Sequence, residues 1–544
     1  MDIDAMVPRF VGIKPIIEEM LSVSGAVGLS YGILFQGQII HTESFGYRDY
    51  EQKLPVDTQT MFSICSMTKG LVSSALGLLV QEGKLKWETP VHELLPWYAP
   101  QSDTLKENAT LLDFLAMRSG LERYNNWSRS YNRINFDQSQ SRKVLNSLQM
   151  SSELRWKFAY NNWGYEIAGH VYNEVGGESW DSMLHSKFFQ PLGLKRTDAS
   201  GHREKFSNVA KAYMVLDDRT PVSIPKTPQS SQTLMGAAGG VESCIDDLLV
   251  LYRSILKASI TQFSSNQRTT PNNPFQSLTD TFSAHMPLPG NGLYESSYGM
   301  GWMRTQLPNQ MCKISTNNGL LGEQPVIGKG AASKLVIAHY GSMPGSFAGV
   351  NLLPETESAI VVLTNTTPLC DLSDWMTQLL TQTLFDFPEK VDLVSWVKRT
   401  AEAELGWHAR ITADMKRSQN SELPMRKMGE YVGTFVNKAE TFFVEIAQRG
   451  DELLLLFEGR QDELFPMEHL IDDTFSWLQS RNDLVSRGRV VLQPATYYMI
   501  RFEAGDSGRI DRLFWTHDSE LPRGEEYIKS GEKKESEKLV HGEL

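Results

Sequence analysis

Ser66-Met67-Thr68-Lys69 sets a hydroxyl and an amine three residues apart. On a helix that spacing places both side chains on one face, within reach of each other. The pair suits a serine nucleophile with a lysine base. The positive end of the helix dipole favours a developing alkoxide, and an amine tucked against it gives up its proton more readily than a solvated one. The same spelling recurs at Ser223/Lys226, Ser254/Lys257, Ser395/Lys398 and Ser530/Lys533, so spacing alone selects nothing. Context does. Ser254 falls inside a helical pattern, Ser223 precedes Pro225, Ser395 sits in a charged stretch and Ser530 in the tail. Only Ser66 heads a long apolar helix, with Leu71, Val72, Ala75, Leu76, Leu79 and Val80 at helical spacing and Gly83 at its end. The competing role for Ser66 is that of a helix N-cap.

A second group is Tyr160-Asn161-Asn162, where a phenol can relay protons and an amide can hold an acyl chain or orient a lysine. Tyr124-Asn125-Asn126 has the same spelling but follows a loop, whereas Tyr160 directly precedes a helical pattern. A third group, His339-Tyr340-Gly341-Ser342, ends a buried apolar run, and glycine on such a strand lets a substrate backbone approach. His339 reads either as a substrate contact or as a core histidine bonded to backbone. Gly28-Leu29-Ser30-Tyr31-Gly32 spells a nucleophile elbow, but the strand pattern runs on through Ile33 and Leu34, which places Ser30 mid-strand. Cys65 reads as a small buried residue rather than a nucleophile. Trp127, Trp163 and Trp302 are core aromatics or acyl-pocket walls.

Together these segments resemble the serine β-lactamase and penicillin-binding-protein superfamily, in particular its class C β-lactamase, esterase and D-aminopeptidase branch. The likeness covers roughly residues 10 to 385 and includes Met117-Arg118-Ser119-Gly120-Leu121, Gly239-Gly240-Val241-Glu242-Ser243 and Tyr298-Gly299-Met300-Gly301-Trp302. It implies that Ser66 is acylated and that Lys69 and Tyr160 are the general acid/base pair. It makes Asn162, His339 and Gly341 substrate-binding positions. It forms the oxyanion hole from the backbone N–H groups of Ser66 and Ser342. The resemblance brings no metal and no cofactor. One departure shifts the chemistry: these enzymes commonly carry lysine where this chain has His339, and histidine is mostly neutral near pH 7. Chemistry on a small ester, thioester or amide is therefore expected in place of penicillin hydrolysis.

The elements around these residues predict an α+β fold; the resemblance makes the first domain β-lactamase-like, an antiparallel sheet flanked by helices, and the all-β C-terminal part resembles a lipocalin-like barrel. Strands are expected within 27–41, 334–339 and 358–364, and helices at 67–83, 110–117, 163–175 and 245–257. The polar stretches 259–290 and 305–330 read as surface insertions. Seven short β-type runs follow residue 426: 431–436, 441–446, 453–457, 475–478, 490–492, 497–502 and 510–515. The expected organisation is a catalytic domain over 1–385, a helical connector over 386–425, an antiparallel barrel or sandwich over 426–520 and a charged, solvated tail over 521–544.

Bulk properties limit the function classes. The 544 residues are 41% hydrophobic and 22% charged, ordinary for a globular chain. A net charge of -12 and the lack of a basic stripe argue against nucleic acid and anionic lipid as partners. The acidic start Met1-Asp2-Ile3-Asp4 and the absence of an apolar run near ~20 residues point to a soluble, cytoplasmic protein away from membranes. His541-Gly542-Glu543-Leu544 departs from an ER-retention tail at Gly542. The four cysteines lack metal-ligand spacing. The functional expectation is a serine hydrolase or acyltransferase in secondary-metabolite tailoring. Its partners are a small-molecule acyl substrate and an acyl acceptor or carrier-bound thioester. The alternatives are a D-aminopeptidase-like peptide hydrolase or cyclase, and a non-catalytic scaffold that keeps the fold.

Overall fold

The computed structural model describes residues 3, 6–125, 130–134, 136–290, 292–419, 425–521 and 523–530. Two compact units are present. The first takes the chain to Arg123, Trp127–His408 and Arg481–Leu492; the second takes Tyr124–Asn126, Ala409–Ser480 and the chain from Gln493.

In the first unit nine strands form one sheet: β1 (Gly28–Phe35), β2 (Gln38–Asp49), β3 (Leu54–Pro55), β4 (Met286–Pro287), β5 (Ser296–Tyr298), β6 (Met303–Leu307), β7 (Lys334–Met343), β8 (Ser346–Leu353) and β9 (Ser358–Thr364). Their order across the sheet is β3-β2-β1-β9-β8-β7-β6-β5-β4, and every pairing is antiparallel. The β1–β2 hairpin closes on Gln36 and Gly37, at φ 50° and 70°. Left-handed backbone at both turn residues matches the twist of the flanking strands.

The main helices are α1 (Lys14–Ser24), α2 (Thr68–Gln81), α3 (Trp163–Gly176), α4 (Ile245–Ser265), α5 (Leu372–Phe385) and α6 (Leu393–Ser418). Glycines in the sheet mark where two of them press. A Cβ on Gly32 would meet Leu249 and Ile245 of α4, and one on Gly349 would meet Thr377 of α5. The pairs Gly32↔Val361 and Val361↔Val350 put Gly32 on the face that Gly349 turns away from. The sheet is thus covered on both faces, with α2 and α3 packed on each other.

The polar stretches are more ordered than their composition predicts. α4 continues to Ser265, beyond the expected end near 257, because its late polar residues are satisfied internally. Ser259 Oγ donates to Leu256 O at 2.9 Å, and the buried Gln262 amide donates to Phe275 O at 2.9 Å while accepting from Leu278 N at 2.8 Å. The 305–330 stretch contains a short helix, Thr316–Leu321, whose buried Asn317 bonds to Asp374 at 3.0 Å. These are packed segments, not loose insertions.

The second unit is a closed eight-stranded antiparallel barrel: β10 (Gly433–Asn437), β11 (Phe443–Arg449), β12 (Glu452–Phe457), β13 (Leu464–Ile471), β14 (Thr474–Ser476), β15 (Met499–Ala504), β16 (Ile510–Trp515) and β17 (Glu525–Lys529). Three expectations are corrected. β13 is a strand despite Pro466, its burial alternating only weakly. Residues 490–492 form no strand and belong to the first unit. Glu525–Lys529, expected in a solvated tail, closes the barrel between β10 and β16, with Tyr527 buried and Glu526 and Ile528 outward. Residues 531–544, which hold Lys533 and the last four residues, lie outside the described residues. Among the described residues no helix is long and apolar enough to cross a membrane.

Candidate active site

The chain reaches Ser66 through a two-residue strand, Phe62–Ser63, paired with Glu242–Ser243, and a 3-10 turn, Cys65–Met67. Helix α2 begins only at Thr68, so Ser66 lies in the turn before the helix and not at its first residue. Cys65 has φ 48°, a left-handed backbone at a side chain with a Cβ. Such conformations cost ~1–3 kcal/mol and persist only where surrounding bonds fix them. Here Ile64 N donates to Val241 O at 3.0 Å, and Val241 N donates to Thr68 Oγ1 at 3.1 Å. The residue preceding α2 is Met67, with no side-chain cap bond, so the Ser66 hydroxyl is not an N-cap.

Lys69 is fully buried, with Nζ 2.9 Å from Ser66 Oγ and 2.8 Å from Ala238 O. Its amine also lies 5.1 Å and 5.4 Å from the ring centroids of Tyr160 and Tyr165. Among the described residues it has no carboxylate partner. Burial therefore lowers its pKa from 10.5 to about 7. A neutral amine has two hydrogens and a lone pair. With one hydrogen given to Ala238 O, the lone pair can accept the Ser66 hydroxyl proton. Two glycines allow this packing: a Cβ on Gly301 (φ 79°) would lie 2.8 Å from Lys69 O, and one on Gly70 would lie 2.5 Å from the Trp302 ring.

Tyr160 stands beside the Lys69 amine, and burial raises its pKa, which keeps the phenol protonated. Its neighbour Asn161 is structural. The buried amide donates to Leu121 O at 3.1 Å and Glu122 O at 2.7 Å and accepts from Trp163 N at 2.8 Å, which fastens the start of α3. Asn162 is half-buried at the residue before α3, where its carbonyl accepts from Tyr165 N and Glu166 N. The look-alike Tyr124 belongs to the second unit, where its hydroxyl accepts from Asn437 Nδ2 at 3.1 Å.

The third group lies on β7. A Cβ on Gly341 would meet Ile64 O at 2.5 Å, Cys65 Cβ at 2.8 Å and Ser66 N at 3.1 Å, so only glycine lets β7 lie this close to Ser66. β6 pairs with β7 no further than Ala338, which opens that edge beyond it. Met343 and Ser346 flank a two-residue turn; from such a closing pair, alternate residues turn their N–H and C=O away from β8. Tyr340 and Ser342 are those residues. The Tyr340 carbonyl accordingly meets the His339 side chain, 2.8 Å from Nδ1. His339 corrects an expectation: it is fully buried, and Nε2 lies 3.0 Å from the Tyr298 hydroxyl, so neither nitrogen is free for a substrate.

The other spellings do no comparable work. Ser30 is buried in β1 and shares a 2.8 Å bond with Ser44. Lys226 pairs with Glu242 at 2.8 Å and Lys398 with Glu19 at 2.6 Å. Burial pushes the Cys65 thiol up to about 11, away from thiolate chemistry. Trp163 and Trp302 are core residues; Trp127 lies outside the described residues. Among the described residues no three His, Cys, Asp or Glu side chains could hold a metal ion. Sequence reasoning missed Ala238 O, a backbone acceptor, and Tyr298, whose only signal was its place at the head of Tyr298-Gly299-Met300-Gly301-Trp302.

A helix-covered antiparallel sheet with a lysine-backed serine beneath an open strand edge is the architecture of penicillin-recognising serine hydrolases. The family model described as Beta-lactamase matches residues 13–383, and the chain belongs to that family, whose members are generally serine hydrolases. Protein flp of Staphylococcus aureus (strain MRSA252) is 25% identical over 222 residues, 39% of this chain and 43% of that protein. Penicillin-binding protein 4* of Bacillus subtilis (strain 168) is 22% identical over 298 residues, 53% of this chain and 61% of that one. The chain thus spans less than two thirds of the length of these relatives. In fold it is similar to the octameric penicillin-binding protein homologue from Pyrococcus abyssi, at a TM-score of 0.55 and 20% identity, covering 96% of this chain and 100% of that one.

Proposed function

We propose that the protein is a serine hydrolase or acyltransferase that forms an acyl-enzyme on Ser66 with a small ester, thioester or amide. The observation that carries this reading is the buried, unpaired-by-carboxylate amine of Lys69, 2.9 Å from Ser66 Oγ. In acylation the Ser66 Oγ–H proton passes to Lys69 Nζ as Oγ bonds to the substrate carbonyl carbon. The carbonyl π pair moves onto oxygen, where the N–H groups of Ser66 and Ser342 stabilise the oxyanion. As the tetrahedral species collapses, its bond to the leaving group breaks and the Lys69 proton reaches that group through the Tyr160 hydroxyl. Water or an acceptor alcohol or amine then attacks the ester, loses its proton along the same path, and Ser66 Oγ recovers a hydrogen. Asn162 and the Gly341 edge contact the acyl chain, and a metabolite-tailoring role with a free or carrier-bound acyl donor fits this chemistry. No group in these steps needs a metal.

The test is labelling with a fluorophosphonate followed by intact-protein mass spectrometry. One adduct that vanishes in a folded Ser66→Ala variant is expected. Undiminished turnover in Ser66→Ala would remove the mechanism, and no adduct on the folded native protein would favour a scaffold.

A further inference from the structure

The carbonyl that holds the Lys69 amine belongs to Ala238, in a short helix, Gly236–Gly239, that rests on α3. The chain enters this helix through Met235, whose φ of 63° is a left-handed backbone at a side chain with a Cβ. Such a residue persists only where its peptide groups are tied down. Its carbonyl accepts from Gln229 Nε2 at 3.2 Å and from Ala238 N at 3.1 Å. Its N–H donates to the Glu166 side chain of α3, 2.8 Å from Oε2. One turn along α3, a Cβ on Gly169 would lie 2.9 Å from Ala237 Cβ, so glycine there lets the short helix approach. The far end is fastened to α2 instead, where Val241 N donates to Thr68 Oγ1. Bonds within 233–240 shape the turn, and these anchors set where the Ala238 carbonyl stands.

We infer that Glu166 is a positioning residue for Lys69: by accepting the Met235 N–H it aims the Ala238 carbonyl at Nζ and so turns the amine's lone pair toward Ser66. This rests on the acyl-enzyme reading of Ser66. The bond to Ala238 O fixes the rotation of the amine about its last carbon, so a shift of that oxygen swings the lone pair off the Ser66 hydroxyl. Glu166 is 3% exposed, and the mechanism asks nothing else of it. Its other oxygen accepts from Ser141 Oγ at 2.9 Å and Gln138 Nε2 at 3.0 Å. The titratable group beside it is His170, Nε2 3.6 Å from Oε1, whose pKa burial lowers to about 4, so among the described residues no cation neutralises the carboxylate. Burial raises the Glu166 pKa, against the pull of its three donors. An apolar side chain would avoid that desolvation but leave Met235 N without an acceptor. Around Lys69 Nζ itself stand Tyr160, Tyr165 and Cys65.

Single-turnover acylation by an activated ester, followed by intact-protein mass spectrometry, separates geometry from folding: its amplitude counts intact sites, and its rate constant reads the alignment of Lys69 with Ser66. Glu166→Met fills the space without an acceptor. Its rate constant should fall by roughly 10- to 100-fold, and the midpoint of its pH–rate profile should move to lower pH, because an ammonium that loses the Ala238 carbonyl is less favoured. Glu166→Gln keeps an oxygen for Met235 N, since Ser141 Oγ can accept from the amide nitrogen, and should stay within about threefold of the native rate with an unchanged midpoint. Gly169→Ala leaves Glu166 intact but pushes Ala237 off α3 and should reproduce the slowed rate, which decides the matter even where Glu166→Met does not fold. A native rate constant and midpoint in Gly169→Ala or in folded Glu166→Met, or a loss in Glu166→Gln as large as that in Glu166→Met, would overturn the inference. Loss confined to amplitude would do the same, leaving Glu166 a purely structural group. Absence of any Ser66 adduct on the native protein is the separate failure, since it removes the acyl-enzyme reading.

Discussion

Lys69 should give acylation a pH profile set by burial. An ordinary lysine, with a pKa of 10.5, is a free amine at pH 7 in only about one molecule in 3,000. At a pKa of about 7 roughly half of the molecules hold the base form. The acylation rate, followed by time-resolved mass spectrometry of the Ser66 adduct, should therefore rise about 50-fold from pH 5 to pH 7 and only about twofold more to pH 9. Lys69→Arg, charged throughout this range, should lower the rate by ~10²- to 10⁴-fold and abolish the profile. Stability linked to this residue should rise with pH as the rate does, yet the buried amine itself costs stability. The unfolded chain binds the Lys69 proton up to pH 10.5 and the folded chain only to about 7, so this group's contribution to stability grows as pH rises between those values. Lys69→Met, which removes the buried amine, should be inactive and yet more stable at pH 7 by about 1–2 kcal/mol. A rate still climbing tenfold per pH unit above pH 9, or a Lys69→Met variant that melts well below the native protein, would refute the reasoning.

Other perturbations test the supporting geometry. Gly341→Ala places a Cβ 2.5 Å from Ile64 O and 3.1 Å from Ser66 N; β7 must shift, and Ser66 labelling should slow by about tenfold or more in a protein of nearly native melting temperature. Arg481→Ala leaves the buried Glu404 without its 2.9 Å partner and should destabilise the first unit by ~3–5 kcal/mol in denaturant unfolding, while Arg481→Lys should recover part of that loss. Ser30→Ala and Lys257→Ala should label and turn over as the native protein does; loss of labelling in either would mean that the nucleophile or base was misassigned.

The legible part of the site was that written in side-chain type and helical or strand period. The apolar stripe of α2 singled out Ser66 among five similar spellings, and the unbroken apolar runs of β1 and β9 revealed the sheet. Contacts made by backbone or by absent atoms left no such trace. Ala238 fixes the Lys69 amine through a carbonyl that any residue could offer, and Gly301 and Gly341 act by lacking a Cβ. His339 misled because its type suggests a contact with substrate, whereas its surroundings consume both nitrogens. In the barrel, β13 and β17 escaped notice because one face meets solvent and carries proline or charge, so too few apolar residues alternate to signal a strand.

The barrel itself is a filled solid. Phe457 packs against Trp515 at 4.9 Å, Trp477 at 5.3 Å and Phe465 at 5.9 Å, and Phe442, Phe502 and Tyr527 are buried with them. Interior aromatics of this size occupy the space that ligand-carrying eight-stranded barrels leave open. The expected division is that the first unit, which holds Ser66, Lys69 and Tyr160, selects the acyl group. Deleting everything after about residue 425 would not test that division cleanly. The deletion removes Arg481–Leu492, a piece of the first unit, and with it the Arg481 partner of the buried Glu404. A deletion that spares those twelve residues separates the two effects, because only then does any change in substrate choice report on the barrel rather than on an unpaired carboxylate in the first unit.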